Sequence, residues 1–294
     1  MKEKLIQKVE KEDIKVPELL PGESAIVLQR HEKYEMRDEA ESKGSLIQED
    51  AEAASKRYKE YFKSLFSKDT TSDTMILFVS SDTNYKEGGY RSMETAQLAL
   101  WAAVSVLEEL GINPSERIIN LHLDFNTKPF DSMNLDVRPD RHLIGPKFIE
   151  ESPEYVQYMK DKYGDLDGYG YDLSTKAWGV HEDDGEAEKR KELGAEGVYE
   201  VLERVKRSIS IYARYARMFH SKHSDKKLLI WATSHYDTIS PLVKDTTDTD
   251  FSEFLDVEYG GGVVIRLGNK EQEAYLEAQG QSVPIKLKKD KANN

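Results

Sequence analysis

Arg30 and His31 stand side by side after the apolar run Ala25-Ile26-Val27-Leu28. Four apolar residues in a row, three of them branched, read as a short strand buried on both faces. In an open α/β sheet, ligands bind at the carboxyl ends of the strands. A guanidinium and an imidazole placed there suit an anionic substrate and a nitrogen nucleophile or base. The same dipeptide recurs at Arg141-His142, but no strand pattern precedes it and it is given no role.

Two further strand ends carry polar residues of the same kind. Met75-Ile76-Leu77-Phe78-Val79 ends at Ser80-Ser81, and a helix pattern beginning Arg91-Ser92-Met93-Glu94-Thr95-Ala96 follows. Leu228-Leu229-Ile230-Trp231-Ala232-Thr233 ends at Ser234-His235-Tyr236-Asp237-Thr238. Taken in order, these three motifs resemble the histidine phosphatase superfamily, which includes the phosphoglycerate mutases and many phosphomonoesterases. The resemblance runs from about Ala25 to Leu267 and implies a three-layer α/β fold, a mostly parallel central sheet with helices on both faces.

It also implies roles. Arg30 and Arg91 would clamp the phosphoryl oxygens, which paired guanidinium forks do better than lysine. His31 would be the nucleophile, since a neutral imidazole is available near its ordinary pKa of about 6.5. His235 would donate to the phosphoryl oxygens. The leaving alkoxide needs a proton, and Asp124, directly after the strand-like Arg117 to Leu123, is the carboxylate best placed to give it. Asp131, Asp136 and Glu150 are the alternatives. Thr95 and Ala96 read as helix packing, and Ser92 as a helix cap. The family's Arg-His pair is normally followed by glycine, whereas here the position is Glu32. A carboxylate beside a phosphate is repulsive, so the direction of Glu32 separates a working phosphatase from a protein that only binds phosphate.

The bulk properties narrow the partners. With 294 residues and a formal charge of −13, the chain can bury a sound core. It lacks the basic excess of a nucleic-acid-binding surface. A phosphate pocket here has to be a local positive island. The absence of cysteine removes disulfides, thiolate nucleophiles and cysteine metal sites. His122 reads as structural, and His181, His220 and His223 as solvated, with no ligand spacing. No cofactor or metal is therefore expected, and the partner is a small phosphorylated substrate. No apolar run approaches a membrane span and the charged N-terminus has no signal-like region, so a soluble, cytoplasmic, membrane-free protein is the expectation.

The elements that must carry these residues alternate strand and helix with short links, the pattern of a parallel sheet covered on both faces. Ile47 to Leu65, Met93 to Leu110 and Val198 to Phe219 have apolar residues at helical spacing. Gly111 and Pro114 stop the second helix, Gly194-Ala195-Glu196-Gly197 opens the third, a short helix follows from Thr238, and Gly262 to Leu267 reads as the last strand. Residues 1–22 form an N-terminal extension, 23–285 the α/β domain, and 286–294 a disordered tail. The domain holds an insertion at about 125–193. That insertion is polar, too long for a plain loop, and reads equally as a lid or a surface excursion. Its tyrosines (Tyr155, Tyr158, Tyr163, Tyr169, Tyr171) are assigned to packing. The expected activity is metal-independent phosphomonoester hydrolysis through a phosphohistidine. The alternatives are a non-catalytic phosphate-binding or scaffolding protein on the same fold, or a mutase-like phosphotransferase.

Overall fold

The structure is a computed structural model that describes residues 6, 8–35, 45–69, 72–83, 89–119, 137–164, 175–268, 273–278 and 281–287. The apolar run at Ala25 forms β1 (Ser24–Arg30), in which every residue is buried. The other sheet strands are β2 (Thr74–Ser80), β3 (Arg138–Pro139), β4 (Lys227–Ser234), β5 (Gly262–Leu267), β6 (Ala274–Ala278) and β7 (Gln281–Pro284). Their spatial order is β7-β6-β5-β1-β4-β2-β3. The pairs β1–β4, β4–β2 and β2–β3 are parallel, while β5, β6 and β7 extend the sheet antiparallel.

Helices α1 (Gln48–Ser67) and α2 (Arg91–Glu109) cover one face. The insertion supplies α3 (Phe148–Glu151), α4 (Pro153–Tyr163), α5 (Lys176–Glu182) and α6 (Ala187–Glu192). Helices α7 (Val198–His220) and α8 (Tyr236–Thr247) are the last α-helices among the described residues. Successive strand residues point to opposite faces. Ala25, Val27, Ile76, Phe78, Leu229 and Trp231 therefore pack with Tyr58 and Phe62 of α1 and Leu100 and Leu107 of α2. Ile26, Leu28, Leu77, Val79, Ile230 and Ala232 pack on the other side with α7 and α8. Phe148, Tyr155, Met159, Ala177 and Trp178 belong to that second core. The described part of the insertion is thus packed against the sheet, and Tyr155 is a packing residue. Tyr169 and Tyr171 lie outside the described residues.

Several expectations need correction. Of the segment Arg117 to Leu123, Ile118 makes one isolated parallel bridge to Ile76, and 120–123 lie outside the described residues. The sheet does not end at Leu267: β6 and β7 follow. Their polar residues alternate with buried Ala274 and Leu276, a short half-exposed pattern that is weak against a charged background. Helix α8 begins at Tyr236 rather than Thr238, because Thr238 Oγ1 bonds the His235 carbonyl at 2.8 Å inside the first turn. His181 is not solvated but buried at 3 % exposure, with its ring 4.3 Å from that of Phe148. His220 is half-buried and bonded to Ser24 Oγ at 2.7 Å.

The strand starts are tied at the edge away from the serine and histidine ends. Asp69, 3 % exposed, accepts from Thr74 N at 2.8 Å and Thr74 Oγ1 at 2.7 Å. It also meets Arg117 Nη1 at 2.6 Å and Lys227 Nζ at 3.0 Å. Removing one partner of a buried charge cluster leaves the others uncompensated. Asp69→Ala is expected to lower unfolding stability by about 3 kcal/mol, read as a fall in the urea midpoint at unchanged m-value. A loss within the scatter of ordinary surface substitutions would show that the cluster contributes no stability.

Candidate active site

The pairing register explains how distant residues meet. Arg30 is the partner of Ser234 in β1–β4, and Ser80 that of Thr233 in β2–β4. Each chain leaves the sheet at the same edge, so the residues just beyond the strand ends converge. Arg30, His31, Arg91 and His235 line one pocket, with Tyr34, Asp237 and Tyr259 among its other walls. The rings of His31 and His235 lie 5.3 Å apart, edge to face.

His31 is 2 % exposed and is fixed on three sides. Its N–H donates to the Ser234 carbonyl at 2.9 Å, its carbonyl accepts from Gly260 N at 3.1 Å, and Nδ1 lies 2.7 Å from the Glu32 carbonyl. A carbonyl can only accept, so Nδ1 carries the proton and Nε2 of the neutral ring keeps its lone pair. Burial, followed by Arg91, His235 and Arg30 close by, holds the His31 pKa well below its ordinary value. The ring is therefore neutral at pH 7.

Both arginines are nearly buried and lie against aromatic faces. The Arg30 guanidinium sits 3.7 Å from the Tyr259 ring centroid and also donates to the Val257 carbonyl. That of Arg91, the first residue of α2, sits 4.1 Å from the Tyr34 ring centroid. Such stacks hold a cation without neutralising it. Tyr34 is placed by a two-residue antiparallel pairing of Tyr34–Glu35 with Ser45–Leu46. Neither tyrosine is singled out by the sequence, where a single aromatic in a connecting segment carries no signal.

His235 is oriented by two hydroxyls, Ser81 Oγ at 3.1 Å and Ser92 Oγ at 3.2 Å from Nε2. Burial and the charges of Arg91 and Arg30 hold its pKa well below the ordinary value as well. Ser92 is thus not the cap of α2, which starts one residue earlier; it faces His235 from the first turn. Thr95 also does more than pack. Its hydroxyl accepts the Glu32 N–H at 3.0 Å and donates to the Arg91 carbonyl at 2.9 Å, joining the two pocket segments.

Glu32 points away from this pocket. Its carboxylate meets Arg57 and the Tyr58 hydroxyl, both on α1, and Gln29 Nε2 at 3.3 Å. The repulsion that this residue threatened is therefore directed into the interior.

Of the expected acids, Asp124, Asp131 and Asp136 lie outside the described residues, as does His122. Glu150 is exposed and is not part of the pocket wall, although its neighbour Ile149 is. Sequence reasoning passed over Asp237 as an acid. It stands in the first turn of α8, two residues after His235, and lines the pocket. Burial, helped by the charge of Glu182 and opposed by Arg30 and Arg91, pushes its carboxyl up to about 7. A helix N-terminus favours the ionised form by about 0.3–1 kcal/mol, less than one pKa unit, so burial prevails. The signal was present in the Ser-His-x-Asp-Thr motif itself.

Among the described residues, no group of three or more His, Cys, Asp or Glu side chains could hold a metal ion. No described helix is long and apolar enough to cross a membrane.

No protein-family model matches the chain, and no curated protein matches it. Solved structures do. A phosphoglycerate mutase from Bacillus anthracis shares 14% identity at a TM-score of 0.46, covering 88% of this chain and 93% of that one. A mycobacterial hydrolase shares 12% identity at a TM-score of 0.45, covering 89% and 92%. A mycobacterial glucosyl-3-phosphoglycerate phosphatase shares 14% identity at a TM-score of 0.40, covering 88% and 99%. The chain is similar, over most of its length, to solved structures of a phosphoglycerate mutase and of hydrolases.

Proposed function

We propose that the protein hydrolyses small phosphomonoesters through a phosphohistidine on His31, without a metal ion. The observation that carries this reading is the Nδ1–carbonyl bond at 2.7 Å, which leaves a neutral His31 with its Nε2 lone pair beside two arginines. Phosphate-monoester hydrolysis is among the slowest uncatalysed reactions, and its catalysis rests on charge stabilisation and alignment. Arg30 and Arg91 supply the charge, and the ring stacks on Tyr259 and Tyr34 fix their planes.

In the first step, Nε2 attacks phosphorus and the bond to the leaving oxygen breaks. Asp237, protonated for much of the time near neutral pH, gives its proton to that oxygen, and the alcohol departs. The phosphorylated ring carries positive charge, which the Glu32 carbonyl on Nδ1 stabilises. In the second step, water gives a proton to the Asp237 carboxylate as its oxygen attacks phosphorus. The P–N bond breaks, inorganic phosphate leaves, and neutral His31 and protonated Asp237 are restored. His235, held by Ser81 and Ser92, contributes a ring N–H donor to the phosphoryl oxygens. A Glu32 carboxylate between Arg30 and His235 would favour a binding-only protein, whereas this one lies on Arg57 and Tyr58. A mutase needs a second acceptor site, which no feature among the described residues supplies.

His31→Ala is expected to abolish turnover of 4-nitrophenyl phosphate with the fold intact by circular dichroism. In the unaltered protein, a quenched reaction should yield a phosphoryl label that is stable in alkali and lost in acid; undiminished turnover in the variant would refute the mechanism.

Asp237→Asn tests the acid. Alkyl phosphates should lose about 10²–10⁴-fold in kcat/KM, whereas aryl phosphates, with better leaving groups, should lose far less. An acid titrating at about 7 must be protonated to act. Alkyl turnover should therefore fall as pH rises above 7, and this limb should vanish in the variant. Equal loss for both substrate classes would pass the role to another carboxylate, with Asp124→Asn as the next variant.

Turnover is also expected to survive dialysis against a chelator. Activity lost on chelation and restored by a divalent cation would contradict a charge supply from arginine and histidine alone.

A further inference from the structure

Glu32 is 2 % exposed, yet the hydrolysis described above gives its side chain no part. A buried carboxylate is costly unless paired and hydrogen-bonded, and this one has three donors at Oε1. Arg57 Nη2 and the Tyr58 hydroxyl both donate to Oε1 at close range, with Gln29 Nε2 at 3.3 Å. The partners are themselves fixed. Gln29 Nε2 donates to the Tyr58 oxygen at 2.7 Å and the Gly260 carbonyl at 3.0 Å, and Gln29 Oε1 accepts from Trp231 Nε1 at 3.1 Å. Gly260 has φ +73°, and a Cβ there would lie 2.4 Å from Glu32 Oε1, so the bare glycine is what admits the carboxylate.

The backbone of the same residue meets the chemistry directly. Its N–H is held by Thr95, which also bonds the Arg91 carbonyl, and its own carbonyl receives the His31 Nδ1 proton. We infer that Glu32 is a positioning residue for His31: its carboxylate, anchored on Arg57 and Tyr58, pins the carbonyl that fixes the tautomer and orientation of the nucleophile. A single neutral hydrogen bond has a modest net strength, and the ring must keep one orientation while charge develops on it. Coupling that carbonyl to a buried charge raises the cost of any drift, because moving the peptide would unseat the carboxylate from its donors. The bond also strengthens when the phosphorylated ring becomes positive, as charge-assisted bonds do. The kinetic consequence rests on the phosphohistidine reading; the positional claim does not.

The test uses the full chain with Glu32→Ala, Glu32→Gln and Tyr58→Phe, and reads kcat and KM on 4-nitrophenyl phosphate together with nitrogen NMR of the labelled histidines. Misplacing a reacting group by about 1 Å costs on the order of 10²-fold. Glu32→Ala should therefore lower kcat by about 10²-fold, with KM within about threefold, since Arg30 and Arg91 still bind phosphate. Glu32→Gln keeps an oxygen acceptor for Tyr58 and should recover about tenfold of that loss. The His31 nitrogens should change from one Nδ1-protonated tautomer to a mixture in Glu32→Ala. If Glu32→Ala does not fold, Tyr58→Phe decides, because it keeps the core volume and removes one donor; about a tenfold fall in kcat is expected there. A lower melting temperature with unchanged kcat and an unchanged His31 tautomer would overturn the inference and leave Glu32 a purely structural ion pair. If the unaltered protein turns over no phosphomonoester, the hydrolase reading fails and the nitrogen spectra alone decide: a preserved tautomer in the folded variant refutes the positioning role, and a mixture supports it.

Discussion

The site depends first on the register between β1 and β4. Arg30 paired with Ser234 places the next residue of each strand, His31 and His235, at the same height on the sheet edge. A slip of one residue would turn one of the two imidazoles toward the opposite face. The register is set by the core. Val27 opposite Trp231 faces α1, where Tyr61 and Phe62 lie with ring centroids 5.0 and 5.3 Å from the indole, while Ile26 opposite Ile230 faces α7 and α8. Apolar burial on both faces thus specifies a polar geometry beyond the strand ends.

Gathering positive groups in a chain with a formal charge of −13 raises an electrostatic problem that the pocket solves locally. Both histidines are kept neutral by burial and by the arginines, so the positive charge is confined to Arg30 and Arg91. Ring faces lie against these guanidinium groups, and an acid titrating near 7 shares the pocket wall. A cation–π contact contributes about 0.5–2 kcal/mol, enough to order a guanidinium and too little to neutralise it as an ion pair would. Under the proposed function, a phosphate would meet both guanidinium groups in a buried pocket, where electrostatic attraction exceeds that in water.

The parts legible in the sequence were those carried by long, strongly patterned segments. The strand runs at Ala25, Met75 and Leu228 and the helices at Ile47, Met93 and Val198 mark β1, β2, β4, α1, α2 and α7, and with them the placement of Arg30, His31, Arg91 and His235 in one pocket. What escaped lies where one residue has two uses. Ser92 looks like a cap and Thr95 like packing, because a hydroxyl near a helix start fits both and only tertiary contacts choose. His181 sits in an acidic run, yet the fold of α5 turns it inward against Phe148 and Trp178. Strands β6 and β7 are short and half-exposed, so their alternation is faint. Glu32 could be read as an intruder on the phosphate because a sequence does not show that Arg57 and Tyr58, a helix away, stand ready to receive it.

Among the described residues, the insertion reaches the pocket through Ile149 and Trp178 of its wall and through the charge of Glu182. Glu182, at the end of α5, is buried and paired with Lys244; Ser240 Oγ donates to it at 3.0 Å, and the Tyr236 hydroxyl lies at 3.5 Å. Burial raises the proton affinity of Asp237, the charge of Glu182 adds to it, Arg30 and Arg91 lower it, and the carboxyl rests near 7. That balance is not fixed. A phosphate dianion seated on the arginines offsets the groups that lower the carboxyl and adds a like charge beside it. Both changes have the same sign: they favour the protonated carboxyl. Substrate binding would then charge the proposed acid with the proton that the leaving oxygen needs, and release of phosphate would relax it. On this argument the segment that interrupts the strand–helix alternation, the hardest to interpret from its sequence, adds through Glu182 to the burial that sets the acid near 7.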